Sequence, residues 1–203
     1  MKKLFIYSLI LFIPIIISSC SGVNKTIENA QRLQFKLGKV DGLDIAGVNL
    51  SNVKSLNDVN ILQGANLLAA FASGRLPTTF TVNLIAKNPD TYPGGDAEST
   101  SLIKSLDWRL LIDNKNIING AITQPITIPG VGKSATIPIP ISIDLLELFA
   151  NNSYENIINL ALAIGGKSGN SSRLTLKIKP TIDTFLGGIS YPGEIDVIDK
   201  EFR

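Results

Sequence analysis

The chain of 203 residues contains no histidine, one cysteine, one tryptophan and one methionine. Without histidine, neither a Ser-His-Asp nor a Cys-His catalytic arrangement can be assembled, and histidine-containing zinc sites are excluded. With Cys20 as the sole cysteine, no intramolecular disulfide can form. A charge surplus is missing too, with 19 basic side chains against 17 acidic. Lys2 and Lys3 belong to a segment expected to be removed, which leaves 17 basic against 17 acidic. Electrostatic capture of nucleic acid needs a basic footprint that this chain lacks. Nor does the balance favour an anionic membrane surface as the main partner. The length suggests one domain with tails, long enough to bury a core.

The N-terminus reads MKKLFIYSLILFIPIIISSC. Lys2 and Lys3 form a positive region, and Leu4 to Ile17 is apolar apart from Ser8 and Pro14. As a helix these 14 residues would rise about 21 Å, short of the roughly 30 Å hydrocarbon core of a bilayer. The segment reads as a signal peptide. Ile17-Ser18-Ser19-Cys20 resembles the bacterial lipobox, in which small residues precede an acylated cysteine. That resemblance implies cleavage before Cys20 and lipid on its sulfur and new N-terminus, a stable membrane anchor. Ser21 replaces the aspartate that marks inner-membrane retention in many two-membrane bacteria, so an outer-membrane anchor is expected where there are two membranes, and, with no acidic run after Cys20, on the periplasmic face. The chain divides into a signal peptide over residues 1–19, a lipidated tether over 20–32 and one domain over 33–203.

The domain is organised around Phe80 to Ile143. Phe80, Val82, Leu84 and Ala86 alternate with Thr81, Asn83 and Lys87. Period two marks a strand with one buried face. Strands are expected at 33–37, 78–87, 101–112, 117–122, 135–143, 173–179 and 188–197, with 44–48 continuing the first or forming another and Ile126 to Pro129 leading into a turn. Asp41-Gly42 is expected to break the first, Asn88-Pro89-Asp90 to end the second, and Asp113–Asn116 to turn the chain. Pro138 and Pro140 lie two apart and lose donors along one side only, which suits an edge strand. Two helices are expected. Asp58 to Ser73 is capped by Ser55 with Asp58 and carries Ile61, Leu62, Ala65, Leu68, Ala69 and Ala72 at helical spacing. Its apolar face is wide, with Leu67 and Phe71 besides, and is expected to pack on the sheet, with partner binding as the alternative. Asn152 to Ile164 is capped by Asn152 with Glu155 and buries Tyr154, Ile157, Ile158 and Ala161. About seven strands and two helices make a mainly β (α+β) protein, with two antiparallel sheets packed face to face.

The strand ending Asn88-Pro89, then SLDWRLLIDNKNIINGAI with Gly120, IPGVGKSATIPIPISIDLLELF, RLTLKIKPTID and GEI at 193–195 together resemble the group 2 late-embryogenesis-abundant family, the water stress and hypersensitive response (WHy) domain. The resemblance spans about Val40 to Val197, with 58–73 as an insertion. It implies an immunoglobulin- or fibronectin-III-like sandwich, association with desiccation and stress, no enzymatic activity and no catalytic residues.

Other chemistry is weak. Gly132-Lys133-Ser134 ends like a phosphate-binding loop, but Thr127 stands where glycine is needed and a proline-rich strand follows in place of a helix. It reads as a turn. The outward Arg173, Thr175, Lys177 and Lys179 read as a solvated face. Asp90 and Asp96 flank a glycine-rich loop without a calcium-binding spacing. No cofactor or metal is expected. The expected function is a non-enzymatic, membrane-anchored binding or stress-protection lipoprotein of the envelope, with an unidentified protein or lipid partner and no nucleic acid. The alternative is a carrier holding an apolar ligand in a cavity between helices and sheet.

Overall fold

The computed structural model describes residues 32–53, 55–89, 100–165 and 174–197. Two antiparallel sheets carry the fold. The first runs in the order β2 (Val48–Asn49), β1 (Gln34–Ile45), β3 (Pro77–Lys87), β7 (Ser134–Asp144). The second runs β10 (Ile195–Val197), β8 (Leu174–Thr184), β4 (Ser101–Ile112), β5 (Lys115–Ile122), with β6 (Ile126–Ile128) on β4 and β9 (Gly187–Ser190) on β8. The helices are α1 (Ile61–Ala72), α2 (Leu145–Phe149) and α3 (Tyr154–Ile164), with a short 3-10 turn at Leu56–Asp58. The class is as expected, a mainly antiparallel β-sandwich with a few helices. The strand count is higher than the seven expected, because β2, β6, β9 and β10 have at most four residues each.

Alternation does what period two requires. Phe80, Val82, Leu84 and Ala86 of β3 are buried, as are Ile137, Ile139 and Ile141 of β7 and Leu174, Leu176 and Ile178 of β8. Each such side chain stabilises by about 1.5–3 kcal/mol when removed from water, less for alanine. They join Leu33, Phe35, Leu106 and Leu110 in one continuous core. β7 is an edge, paired to β3 alone, and Pro138 and Pro140 lie on it.

Asp41-Gly42 does not end the first strand. β1 continues to Ile45 through two register shifts, between Leu37 and Val40 and between Asp41 and Asp44. Each inserts one extra residue, and Gly42 supplies a φ of +66° in the second. Two shifts restore the original parity, so Leu43 and Ile45 return to the core side with Leu33, Phe35 and Leu37. The Asn83 amide donates to the Lys39 carbonyl at 2.8 Å and the Asp41 carboxylate at 2.7 Å, holding the first bulge.

Asn88 ends β3 by tying it to the β6–β7 turn. Its N–H donates to the Lys133 carbonyl at 2.9 Å and its side-chain amide to the Pro129 carbonyl at 3.0 Å. Its own carbonyl accepts from the Gly132 N–H at 3.0 Å. Asp113 and Asn114 turn β4 into β5 with φ of 50° and 62°. Two positive φ values in a two-residue loop define the type I′ turn that suits strand twist, and Asp and Asn tolerate that region.

Local chemistry sets three boundaries. Ser153, not Asn152, caps α3, accepting from Asn156 N–H at 3.3 Å, while the Asn152 amide donates to Phe149 at the end of α2. Asp144 caps α2 and also accepts from Leu76 N–H at 2.9 Å, joining the start of β3 to the end of β7. The single strand expected over 188–197 is two, β9 and β10. Between them Tyr191 turns into the core and Pro192 offers no donor.

Trp108 shares a side of β4 with buried Leu106 and Leu110 and pairs with Gly120 on β5. Its indole lies over that glycine, so a Cβ there would stand 2.5 Å from the ring. Gly120→Val is expected to expel the indole and destabilise by about 1–3 kcal/mol, the range for overpacking. Chemical denaturation followed by Trp108 fluorescence measures it; an unchanged midpoint would show that the ring moves freely.

Tyr191 donates to the Leu33 carbonyl at 3.4 Å and meets Phe35 edge to face at 6.4 Å. Burial pushes its hydroxyl well above the ordinary value of 10.0, against smaller lowering by the Leu33 hydrogen bond and Arg32. A pKa raised by folding means the folded state holds its proton longer. Stability from this group is therefore constant below about pH 10 and falls as pH rises beyond it. Tyr191→Phe should remove that part of the alkaline decline, read as the difference between the two proteins' stability-versus-pH curves.

Candidate functional site: an apolar helix face

α1 is well made as a helix. Asn60 accepts from the Gln63 N–H at 2.8 Å while the Gln63 side chain accepts from the Asn60 N–H at 3.2 Å, a reciprocal capping box. The Ser55 and Asp58 pair expected to cap it instead closes the preceding 3-10 turn, Ser55 N–H to Asp58 at 2.9 Å. The helix thus starts at Ile61 rather than Asp58. At the other end the Ser73 hydroxyl donates to the Ala70 carbonyl at 2.6 Å, and Gly74 leaves with φ of +77°.

Its attachment is narrow. Leu67 is the helix's one buried residue, and Phe71 meets the Tyr154 ring edge to face at 5.5 Å. Partial burial there raises the Tyr154 hydroxyl above its ordinary value. At 100° per residue, Ile61, Leu62, Ala65, Leu68, Ala69 and Ala72 fall within about 120° on another side. All six are exposed: Ile61 by 94%, Leu62 by 72% and Leu68 by 54%. Of the wide face expected to pack on the sheet, only the Leu67 and Phe71 part is covered, and these six residues are turned outward. The physical reason is competition. Leu67 and Phe71 form a second apolar side, and one small contact area cannot cover both. α3 already fills the sandwich, with Ile157, Ile158, Leu160, Ala161, Leu162, Ala163 and Ile164 buried.

α1 also lacks any charged residue over its 12 positions. A surface helix normally carries polar groups on its open side. A helix apolar on both sides and covered on one leaves an unpartnered patch, the kind of surface that marks interaction sites. The uncharged composition was the available sequence signal.

The remaining candidates are modest. On the outer side of the second sheet, a shallow groove of about 560 Å³ is lined by residues including Asp107, Arg109, Lys179 and Glu194. Arg109 pairs with Glu194, Lys177 with Asp196 at 2.9 Å, and Asp107 stands opposite Lys179. Opposite charges are interleaved, so the lysines at 177 and 179 sit in a mixed solvated face. A second groove, of about 260 Å³, lies along Thr79–Thr81 and Pro140–Ser142. Neither groove is lined by α1 or α3. Gly132-Lys133-Ser134 forms a turn with Gly132 at φ of +78°, and Ser134 starts a strand. Among the described residues, no group of three or more Cys, Asp or Glu side chains could hold a metal ion, and no helix is long and apolar enough to cross a membrane. Cys20, Asp90, Asp96 and Arg173 lie outside the described residues.

No family model matches the chain, and no curated protein matches it in sequence. Among solved structures it is similar to a late embryogenesis abundant (LEA) protein at 14% identity and a TM-score of 0.36, covering 92% of this chain and 90% of that one. A protein from Arabidopsis thaliana matches at 18% identity and 0.34, covering 83% of each. A protein from Archaeoglobus fulgidus matches at 13% and 0.30, covering 62% of this chain and 87% of that one. The fold class itself rests on the strand pairing described above.

The two sides of α1 should respond differently to substitution. Leu67→Ala is expected to cost about 2–5 kcal/mol as a buried large-to-small change. Leu62→Gln with Leu68→Gln should stay within about 0.5 kcal/mol per site of the parent, as for exposed positions. Equal losses in urea denaturation would mean that the exposed stripe is structural after all.

Proposed function

We propose that this chain is a non-enzymatic lipoprotein of the cell envelope, anchored through lipid on Cys20, that binds a protein partner through the exposed side of α1. The observation that carries the binding part is the apolar, uncharged stripe of Ile61, Leu62, Ala65, Leu68, Ala69 and Ala72. Covering Ile61, Leu62 and Leu68 would gain about 1.5–3 kcal/mol each before the cost of association. Their i, i+1 and i+7 spacing suits a helix laid into a groove. The anchoring part draws on Ile17-Ser18-Ser19-Cys20 after a short apolar run. The resemblance of its ordered strand segments to the WHy type supports a role in stress protection. Absence of histidine and the interleaved ion pairs on the open sheet face support a binding role over a catalytic one. Ser21 in place of the retention aspartate supports outer-membrane placement, and the lack of an acidic run after Cys20 supports the periplasmic face. Carriage of an apolar ligand, the second reading, would need space between helices and sheet.

Two variants separate these parts. Cys20→Ala should block acylation and move the chain from the membrane fraction to the soluble one. Leu62→Gln/Leu68→Gln should stay lipidated and membrane-bound yet lose partners captured by the parent from its native envelope. A Cys20→Ala chain that still carries acyl chains would refute the anchor. Unchanged capture by the α1 variant would refute the docking side.

A further inference from the structure

We propose that the tip of the β8–β9 hairpin, Phe185 and Leu186, is a membrane-contacting finger that seats the sandwich on the bilayer holding Cys20. This rests on the lipid anchoring proposed above. Phe185 is 81% exposed and Leu186 49%. They fill the two central positions of a tight turn. Thr184 pairs with Gly187, the Thr184 hydroxyl donates to the Gly187 carbonyl at 2.7 Å and accepts from the Leu186 N–H at 3.2 Å, and Gly187 closes the loop at φ of +98°. The Asp113-Asn114 turn of the same sheet needs two positive φ values and uses Asp and Asn, whereas here Gly187 alone takes the positive φ and leaves positions 185 and 186 open to most residues. Nothing in the turn calls for a phenylalanine and a leucine; their use is outward.

Their place in the fold selects the occupant. The described chain enters at Leu33, whose carbonyl accepts from Tyr191, and the Tyr191 N–H donates to Pro180 at 3.0 Å. From Pro180, β8 runs on to Thr184 and the tip. The opposite end of β8, Leu174, pairs with Ile112 beside the Asp113-Asn114 turn, where Lys115 donates to the Leu148 carbonyl of α2 at 2.7 Å. β1 likewise runs from the Leu33 end toward Ile45, β2 and α1. The tip therefore shares an end with the chain entry, and α1 lies at the other end, roughly 35 Å away along a strand of this length.

Twelve residues separate Cys20 from Leu33. They span at most roughly 40 Å, which confines the domain to the bilayer's neighbourhood with the tip end nearest. Short-range insertion of the tip then decides which end faces lipid. The Lys104 stem lies beside Gly188, 3.5 Å from where a Cβ would stand, which suits an apolar stem at a headgroup boundary. α1, with no Lys or Arg within its own residues to meet lipid headgroups, is left pointing away, free for a protein.

The test uses the full lipidated chain, purified from membranes and reconstituted into phosphatidylcholine vesicles with bromine on the acyl chains. Phe185→Trp should lose most of the emission contributed by its added indole relative to unbrominated vesicles, with the Trp108 share unchanged. The parent, reporting Trp108 alone, and Leu62→Trp on α1 should each add no quenching of their own. Leu186→Trp provides the same readout if Phe185→Trp folds poorly. An acylated chain that floats with vesicles but shows no quenching at either tip position overturns the finger and leaves the anchor standing. Equal quenching from Leu62→Trp and Phe185→Trp overturns the orientation. A chain without acyl groups that fails to float overturns anchor and finger together.

Discussion

The dry layer between the two sheets is the constraint from which the rest follows. β3 and β7 face it with Phe80, Val82, Leu84, Ile137, Ile139 and Ile141; β4 and β8 face it with Leu106, Leu110, Leu176 and Ile178. A one-residue slip in any of these strands would move its whole apolar set into water. That penalty fixes the register, and the register places every turn. It also explains β1, whose two bulges are tolerable because together they return Leu43 and Ile45 to the core side.

Once this layer is closed, little apolar contact area remains for additional elements. α3 takes most of it, as its long run of buried residues from Ile157 to Ile164 attests. α1 is held through Leu67 and the Phe71–Tyr154 contact, and its wider apolar side stays open. The two ends of the sandwich consequently differ in character. One carries the chain entry and an apolar hairpin tip; the other carries an uncharged, exposed helix. This difference between the ends is what the proposed anchored module, with a lipid-facing end and a protein-facing end, builds on.

Polar side chains act mostly as joints. Asn88 joins β3 to the β6–β7 turn, Asp144 joins the start of β3 to α2, and Asn83 holds a bulge. Asn88-Pro89 and the Gly132 turn, which stood out in the sequence as an ending and a motif fragment, meet here in one hydrogen-bonded corner. None of these joints presents an aligned set of reactive groups.

Much of this was legible in the residues alone. Alternation in β3, β7 and β8 set the class, since period two admits one buried face. Asp113-Asn114 announced a hairpin and the paired prolines of β7 an edge, because both depend on local backbone chemistry. Helix spacing found α1 and α3 to within three residues at their ends. What the residues could not decide was which side of α1 is covered. Ile61, Leu62 and Leu68 are as apolar as Leu67 and Phe71, and a hydrophobic pattern identifies a side without naming its partner. That choice belongs to tertiary structure, because space over the sheets is finite and α3 occupies it. The shared end of the Phe185-Leu186 tip and the chain entry was equally beyond the sequence, since 152 positions separate Leu33 from Phe185 and only strand direction brings them together.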